Sequence, residues 1–202
     1  GDQYSLAGYH DRTNGGQRWQ YYRCRAEGAN TLVINPSENS AMDQVWGKDS
    51  AINVTNFNGT NPSATVTLTP VYKNASKVTR TLQLTDNRKN ALLTDVIQMG
   101  KASEIYSFMH TKAAVTLSSD KKTATLTQGS KQVKVTLSAP SNAVFTVMDA
   151  IPLSTSPKPT QNANTGYRKL AIHLTNTTST TIKVKFEPQY QEDQIEVSEN
   201  YT

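Results

Sequence analysis

TATLTQGSKQVKVTLS, residues 123–138, alternates Ala124, Leu126, Val133, Val135 and Leu137 with Thr, Gln, Lys and Ser on either side of Gly129-Ser130. A period of two is that of a β-strand with one buried face. A two-residue connection with glycine first is the type II′ hairpin signal. The stretch therefore predicts two antiparallel strands whose solvent face is threonine and lysine. The pattern continues outward: Val66 and Leu68 alternate with Thr65, Thr67 and Thr69, and Leu82 and Leu84 with Thr81, Gln83 and Thr85. Further runs cover 91–99, 103–111, 113–119, 143–149, 167–175 and 180–188. Their spacing of about 8 to 12 residues, broken by Asn, Asp, Gly or Ser, is that of an antiparallel sandwich or barrel.

No long segment holds a helical apolar period, so the predicted fold is all-β with little helix and no crossover unit for a parallel sheet. Roughly a dozen strands favour an antiparallel two-sheet β-sandwich over one closed barrel. Composition agrees: 27 of the 202 residues are threonine, a β-branched residue suited to strands. Hydrophobic residues make up 36%, charged residues 18% and mean hydropathy is −0.58, which excludes a membrane span. Three regions are expected: an irregular aromatic arm over 1–50, packed on the sandwich or on a neighbouring domain; the β-sandwich over 51–188; and an acidic tail over 189–202. The opening Gly1-Asp2-Gln3 has neither an initiator Met nor a signal-peptide pattern, so a longer parent chain is expected.

Five of the 16 acidic residues follow Lys185 and none of the 21 basic ones does, so the body up to Phe186 carries +10. Two readings fit that excess, scattered surface lysines or a polyanionic partner. Nucleic acid is not the expected partner, because the bases are spread widely and no nucleic-acid motif is present. The densest polar and aromatic stretch is QRWQYYRCR, Gln17–Arg25. Read as a strand, it puts Arg18, Gln20, Tyr22 and Cys24 on one side and Trp19, Tyr21, Arg23 and Arg25 on the other. Guanidinium groups bind carboxylate or sulfate, and aromatic rings stack on sugar faces. Arg18, Trp19, Tyr22, Arg23 and Arg25 are thus the candidate contacts to an acidic polysaccharide. The competing reading is an aromatic strand packed on a second domain.

Of the three histidines, His173 falls opposite Leu170, Ile172 and Leu174, on the face of Lys169 and Thr175, and reads as solvated. His110 shares a face with Tyr106 and Phe108 and is either a satisfied core histidine or the wall of a site. His10 reads as an exposed loop residue. Cys24 stands between Arg23 and Arg25, whose charges would lower a thiol pKa, although packing is the simpler role. No nucleophile elbow, phosphate loop or His-Glu-x-x-His helix is present. The segment 152–166, PLSTSPKPTQNANTG, reads as a long surface loop.

RWQYYRCRAEGANTLVINP followed by MDQ resembles the heparinase II/III-like family of polysaccharide lyases, and so do IYSFMHTKA, TATLTQGSKQVKVTL, VFTVMDAIPL, SPKPTQNANTGYRKLAIHL and IKVKF. The matches run from about residue 8 to 188 and resemble only the C-terminal β-sandwich region. The resemblance implies a parent lyase acting on uronic-acid polysaccharides by β-elimination, a helical toroid domain as partner, a periplasmic or secreted location, and a fragment that is inactive alone. It also implies a zinc site in which Asp43 and His110 match two ligands, while Ala29 stands where the family has a histidine. Asn30 and Tyr22 are the candidate catalytic residues. The alternative is a noncatalytic carbohydrate-binding or adhesion module for acidic glycans, and a third reading is a structural spacer.

Overall fold

Alternating apolar and threonine residues build ten antiparallel strands among the described residues, 3–36 and 42–190 of the computed structural model: β1 (Leu32–Ile34), β2 (Ala51–Thr55), β3 (Ser63–Thr67), β4 (Ala75–Thr85), β5 (Asn90–Thr111), β6 (Ala114–Leu117), β7 (Thr123–Gln128), β8 (Lys131–Ala139), β9 (Phe145–Asp149) and β10 (Arg168–Gln189). The remaining regular structure described consists of short 3-10 turns. The acidic tail lies outside the described residues from position 191 onward. The hairpin of residues 123–138 is present with Thr123 opposite Thr136 and Gln128 opposite Lys131. Gly129 has φ +58, the left-handed region that this turn requires of its first central residue.

Two of the strands are longer than the sequence predicts. The runs 91–99 and 103–111 are one strand, β5, and 167–175 and 180–188 are one strand, β10, each of 22 residues. They pair from Arg168 opposite Thr111 to Phe186 opposite Ala91, with register shifts between Leu174 and Ser179. Bulges there bend the pair without ending it. On one side of the bend the order is β2-β3-β4-β5-β10-β8-β7-β6; on the other, β1 pairs with β5 and β9 with β10. Val78, Leu93, Ile97, Val135, Ile182 and Val184 from the wide part share one buried cluster with Leu32, Ile34, Ile105, Phe145, Leu170 and Ile172 from the narrow part. The sandwich is therefore a single hydrogen-bonded sheet folded over itself.

The narrow part is buried on both faces. Leu32 and Ile34 enter the main core, while Val33 joins Ala26, Phe108, Leu153 and Ala171 in a second cluster on the outer face. Residues of the arm and of the loop over 152–166 cover that outer face. Lys169, expected in solvent beside His173, is fully buried beneath them, whereas His173 stays partly open, stacked on Tyr106 at 4.0 Å and bonded to Glu104 at 2.9 Å. Between the layers, Arg80 grips Asp95 bidentately at 2.7 and 2.8 Å and donates from Nη1 to the Asn30 carbonyl at 2.8 Å. Asp95 is fully buried, so this pair stands in the interior and ties the wide part to the turn that carries Asn30.

Candidate functional site

The stretch Gln17–Arg25 does not alternate. It winds through 3-10 turns at Gln17–Gln20, Tyr22–Cys24 and Ala26–Gly28, closed by Tyr21 N–H to Arg18 O at 3.2 Å, Cys24 N–H to Tyr21 O at 2.9 Å and Gly28 N–H to Arg25 O at 3.1 Å. With no neighbouring strand until Leu32, the backbone satisfies itself locally. Tyr21 and Tyr22, assigned to opposite faces by alternation, are both 2% exposed. A Cβ on Gly28 would collide with the Tyr22 carbonyl, so glycine is what lets the turns close this tightly. The loop over 152–166 fixes the turns from outside: Gln161 Oε1 accepts from the Tyr22 N–H at 2.8 Å, and Asn164 Oδ1 accepts from Arg23 Nε at 2.6 Å.

This arrangement aims the Tyr22 phenol at His110, with a hydroxyl-to-Nε2 distance of 2.6 Å. Asn30 Oδ1 accepts from the His110 backbone N–H at 2.7 Å and lies 3.2 Å from His110 Nδ1. The amide oxygen of Asn30 can only accept, so Nδ1 carries the ring proton and Nε2 accepts from the Tyr22 O–H. Burial, helped by the nearby Lys169 charge, holds His110 down at about 4. Burial, with Glu27 adding to it, pushes the Tyr22 phenol well above its ordinary range. At neutral pH the line therefore reads Asn30, neutral imidazole, protonated phenol. An NMR titration of the His110 ring is expected to show a midpoint near 4. The unfolded chain takes up this proton first, so His110's share of stability is complete above pH 6.5 and lost as pH falls toward 4. An ordinary midpoint near 6.5 would contradict the assigned line.

Tyr22, Arg23, His110, Lys112, Asn164 and Tyr167 line an open cleft of about 520 Å³. Of the five candidate sugar contacts, Tyr22 and Arg23 reach it. Arg18 is held in the arm, over the Tyr9 ring at 4.3 Å and bonded to the Tyr9 carbonyl at 2.9 Å; Trp19 bonds the Thr13 carbonyl at 2.9 Å. Arg25 is 5% exposed and cannot meet a polymer. Lys112, Asn164 and Tyr167 were not singled out in the sequence because they belong to a strand end and a loop, which only the fold brings to Tyr22. Lys112 Nζ lies 4.9 Å from the Tyr167 ring centroid. Cys24 is half-buried, and burial raises its thiol pKa over the opposing pull of Arg18.

Behind the cleft lies a cluster of buried charges. Arg25 Nη2 donates to Asp43 Oδ1 at 2.6 Å and its Nε to Glu27 Oε1 at 3.1 Å. Asp43 Oδ2 accepts from the Glu27 N–H at 3.3 Å, and Glu27 Oε2 from the Leu153 N–H at 3.0 Å. Burial lifts the Asp43 carboxyl to about 6 against the opposing pull of Arg25. Lys169 Nζ donates to the Ile151 carbonyl at 3.0 Å and lies 4.4 Å from the Phe108 ring centroid and 5.1 Å from that of Tyr22. This donor set does not fit zinc: Asp43 is engaged by a guanidinium, and no three His, Cys, Asp or Glu side chains gather among the described residues.

The family model described as heparinase II/III-like, C-terminal, matches residues 6–198. The chain belongs to this family. Among solved structures, the heparinase II/III-like domain is similar to the heparan sulfate lyase HepC from Pedobacter heparinus, with a TM-score of 0.62 and 12% identity over 83% of this chain and 25% of that one. It is also similar to a heparinase III, with a TM-score of 0.55 and 16% identity over 82% of this chain and 24% of that one. At these identities the likeness shows the fold. The chain thus spans about a quarter of the length of the structures it matches. A search of curated protein sequences finds no significant match. No helix among the described residues is long and apolar enough to cross a membrane.

Proposed function

We propose that this heparinase II/III-like domain forms one wall of the substrate cleft of a lyase that cleaves uronic-acid-containing polysaccharides of glycosaminoglycan type by β-elimination. A helical toroid outside this chain forms the other wall. The observation that carries the reading is the line Asn30, His110, Tyr22 opening on a cleft beside Arg23 and Lys112. In β-elimination the C5–H and C4–O bonds of the uronate break, a C4=C5 double bond forms, and the departing glycosidic oxygen takes up a proton. Tyr22 takes the donor half on geometry: its phenol lines the cleft with the hydroxyl held at His110, and it carries its proton at neutral pH. The hydroxyl turns from His110 Nε2 to the departing oxygen, its proton passes there, and the phenolate left behind has the Lys169 ammonium 5.1 Å from its ring centroid.

Neutral His110 holds the hydroxyl in place through Nε2, and Asn30 fixes the imidazole tautomer. The C5 proton is acidic only when the uronate carboxylate is neutralised, and Arg23 and Lys112 bring positive charge to the cleft edge for that purpose. The base that takes the C5 proton is assigned to the toroid. An acidic polymer also matches the +10 carried by the body of the chain, and such a substrate accords with a periplasmic or secreted location. A lyase assay following the ultraviolet absorbance of the unsaturated uronate, on a panel of uronic-acid polysaccharides, is expected to show turnover by a polypeptide that includes the toroid and none by this chain alone. Binding without turnover by both would make the domain a carbohydrate-binding module instead. Neither binding nor turnover would remove the glycan reading.

A further inference from the structure

We propose that Lys169, together with Arg25, is the resident cation of this domain, a covalently held substitute for a bound metal that locks the arm and loop against the sheet without one. Among the described residues, four charged side chains meet behind the cleft and none reaches solvent appreciably: Glu27, Asp43 and Lys169 are 0% exposed and Arg25 5%. Two are anionic and two cationic, so the cluster is neutral as it stands. They come from three stretches: Arg25 and Glu27 from the 3-10 turns of the arm, Asp43 from its later part before β2, and Lys169 from β10. The loop adds the Ile151 carbonyl, the Leu153 N–H and the Ser156 hydroxyl, which accepts from Arg25 Nη2 at 3.2 Å. A metal orders loops by drawing oxygen ligands from several segments to one positive centre. Here an ammonium on a strand and a guanidinium on the arm perform that gathering.

Two features make Lys169 more than a packed side chain. Its ammonium faces the Phe108 and Tyr22 rings, so part of its lost hydration is replaced by the ring quadrupoles. Its charge is balanced by Glu27 and then Asp43, and it acts on His110, so it reaches both positions that the family resemblance matches to metal ligands. A dication added to this neutral cluster would be buried with uncompensated charge, which is strongly unfavourable. With Ala29 where a histidine ligand would stand, the positive centre is supplied from the chain itself.

The test uses the 202-residue chain. Thermal unfolding is measured with EDTA and with excess Zn²⁺, and metal content is read after dialysis. The expected result is the same Tm in both and no retained zinc; stoichiometric zinc with a raised Tm overturns the proposal. In parallel, Lys169→Met, which keeps the stem and removes the charge, is expected to lower Tm by about 6–20 °C, the range for breaking a buried charge pair in a chain of this size. A Tm equal to that of the unaltered chain overturns the proposal. Because Lys169→Met alone can fail to fold, the double variant Lys169→Met with Asp43→Asn is included. Removing one charge of each sign restores neutrality and is expected to recover a large part of the loss, while a double variant no better than the single one assigns the loss to packing and also overturns the proposal.

Discussion

Tyr22→Phe, in a polypeptide that includes the toroid, is expected to lower kcat by about 10²–10⁴-fold, the usual worth of a positioned proton donor. The substitution removes one oxygen and leaves the ring where the turns, Gln161 and Lys169 hold it. What is lost is the hydroxyl 2.6 Å from His110 Nε2, the group proposed as donor to the departing oxygen. The variant should still fold, since leaving the half-buried His110 Nε2 without its donor costs about 1–3 kcal/mol. KM should change little, because Arg23 and Lys112 remain at the cleft edge. Steady-state kinetics beside a thermal melt separate the two effects. A kcat within about threefold of the original, with the fold intact, would remove Tyr22 from the chemistry and place the donor on the toroid.

Asp95→Ala is expected to destabilise the domain by about 3–5 kcal/mol, because it leaves the Arg80 guanidinium inside the sandwich without its counter-charge. Asp95 is fully buried and grips Arg80 through both carboxylate oxygens, so solvent cannot take its place. The double change Arg80→Leu with Asp95→Leu should cost much less, since it removes both charges and leaves apolar groups among apolar neighbours. Urea unfolding midpoints of the three proteins give the comparison, and a double variant no more stable than Asp95→Ala would count against the buried-charge account. The same change reaches the site as well. Arg80 holds the Asn30 carbonyl at 2.8 Å, and Asn30 fixes His110. Activity of the toroid-containing protein should therefore fall at temperatures where Asp95→Ala is still folded.

The strands were legible because a half-buried strand writes its burial into the sequence every second residue. Ala124, Leu126, Val133 and Val135 enter the core in the predicted phase. The joining of 91–99 to 103–111 was not legible, since Gly100-Lys101 looks like a turn and only cross-strand pairing shows that β5 passes through it. Alternation misled over Gln17–Arg25 because aromatic residues are common in strands, whereas these have no strand beside them and turn on themselves. It also placed Lys169 with His173 on one face. That was right about the face and wrong about the water, because the arm and loop cover one end of the face and leave the other open. His110 stood out from its aromatic neighbours, but Asn30 as its tautomer partner and the Arg80–Asp95 grip depend on register between distant strands. Of the cleft residues, Asn164 carries only the signal of its long loop, and Lys112 and Tyr167 stand just outside their strands without one.

The two 22-residue strands have a consequence for how the domain comes apart. Independent sheets meeting at an apolar interface can separate like the halves of a shell, each keeping its own ladder. Here both layers hang from the same pair of strands, β5 and β10, so there is no seam along which one could peel away while the other stayed ordered. Loss of the narrow part frees one end of each strand that the wide part needs at the other, and disorder spreads along the backbone instead of stopping at a boundary. The Tyr22 cleft sits on the narrow part, at one end of this pair, and so its rigidity is drawn from the whole sheet.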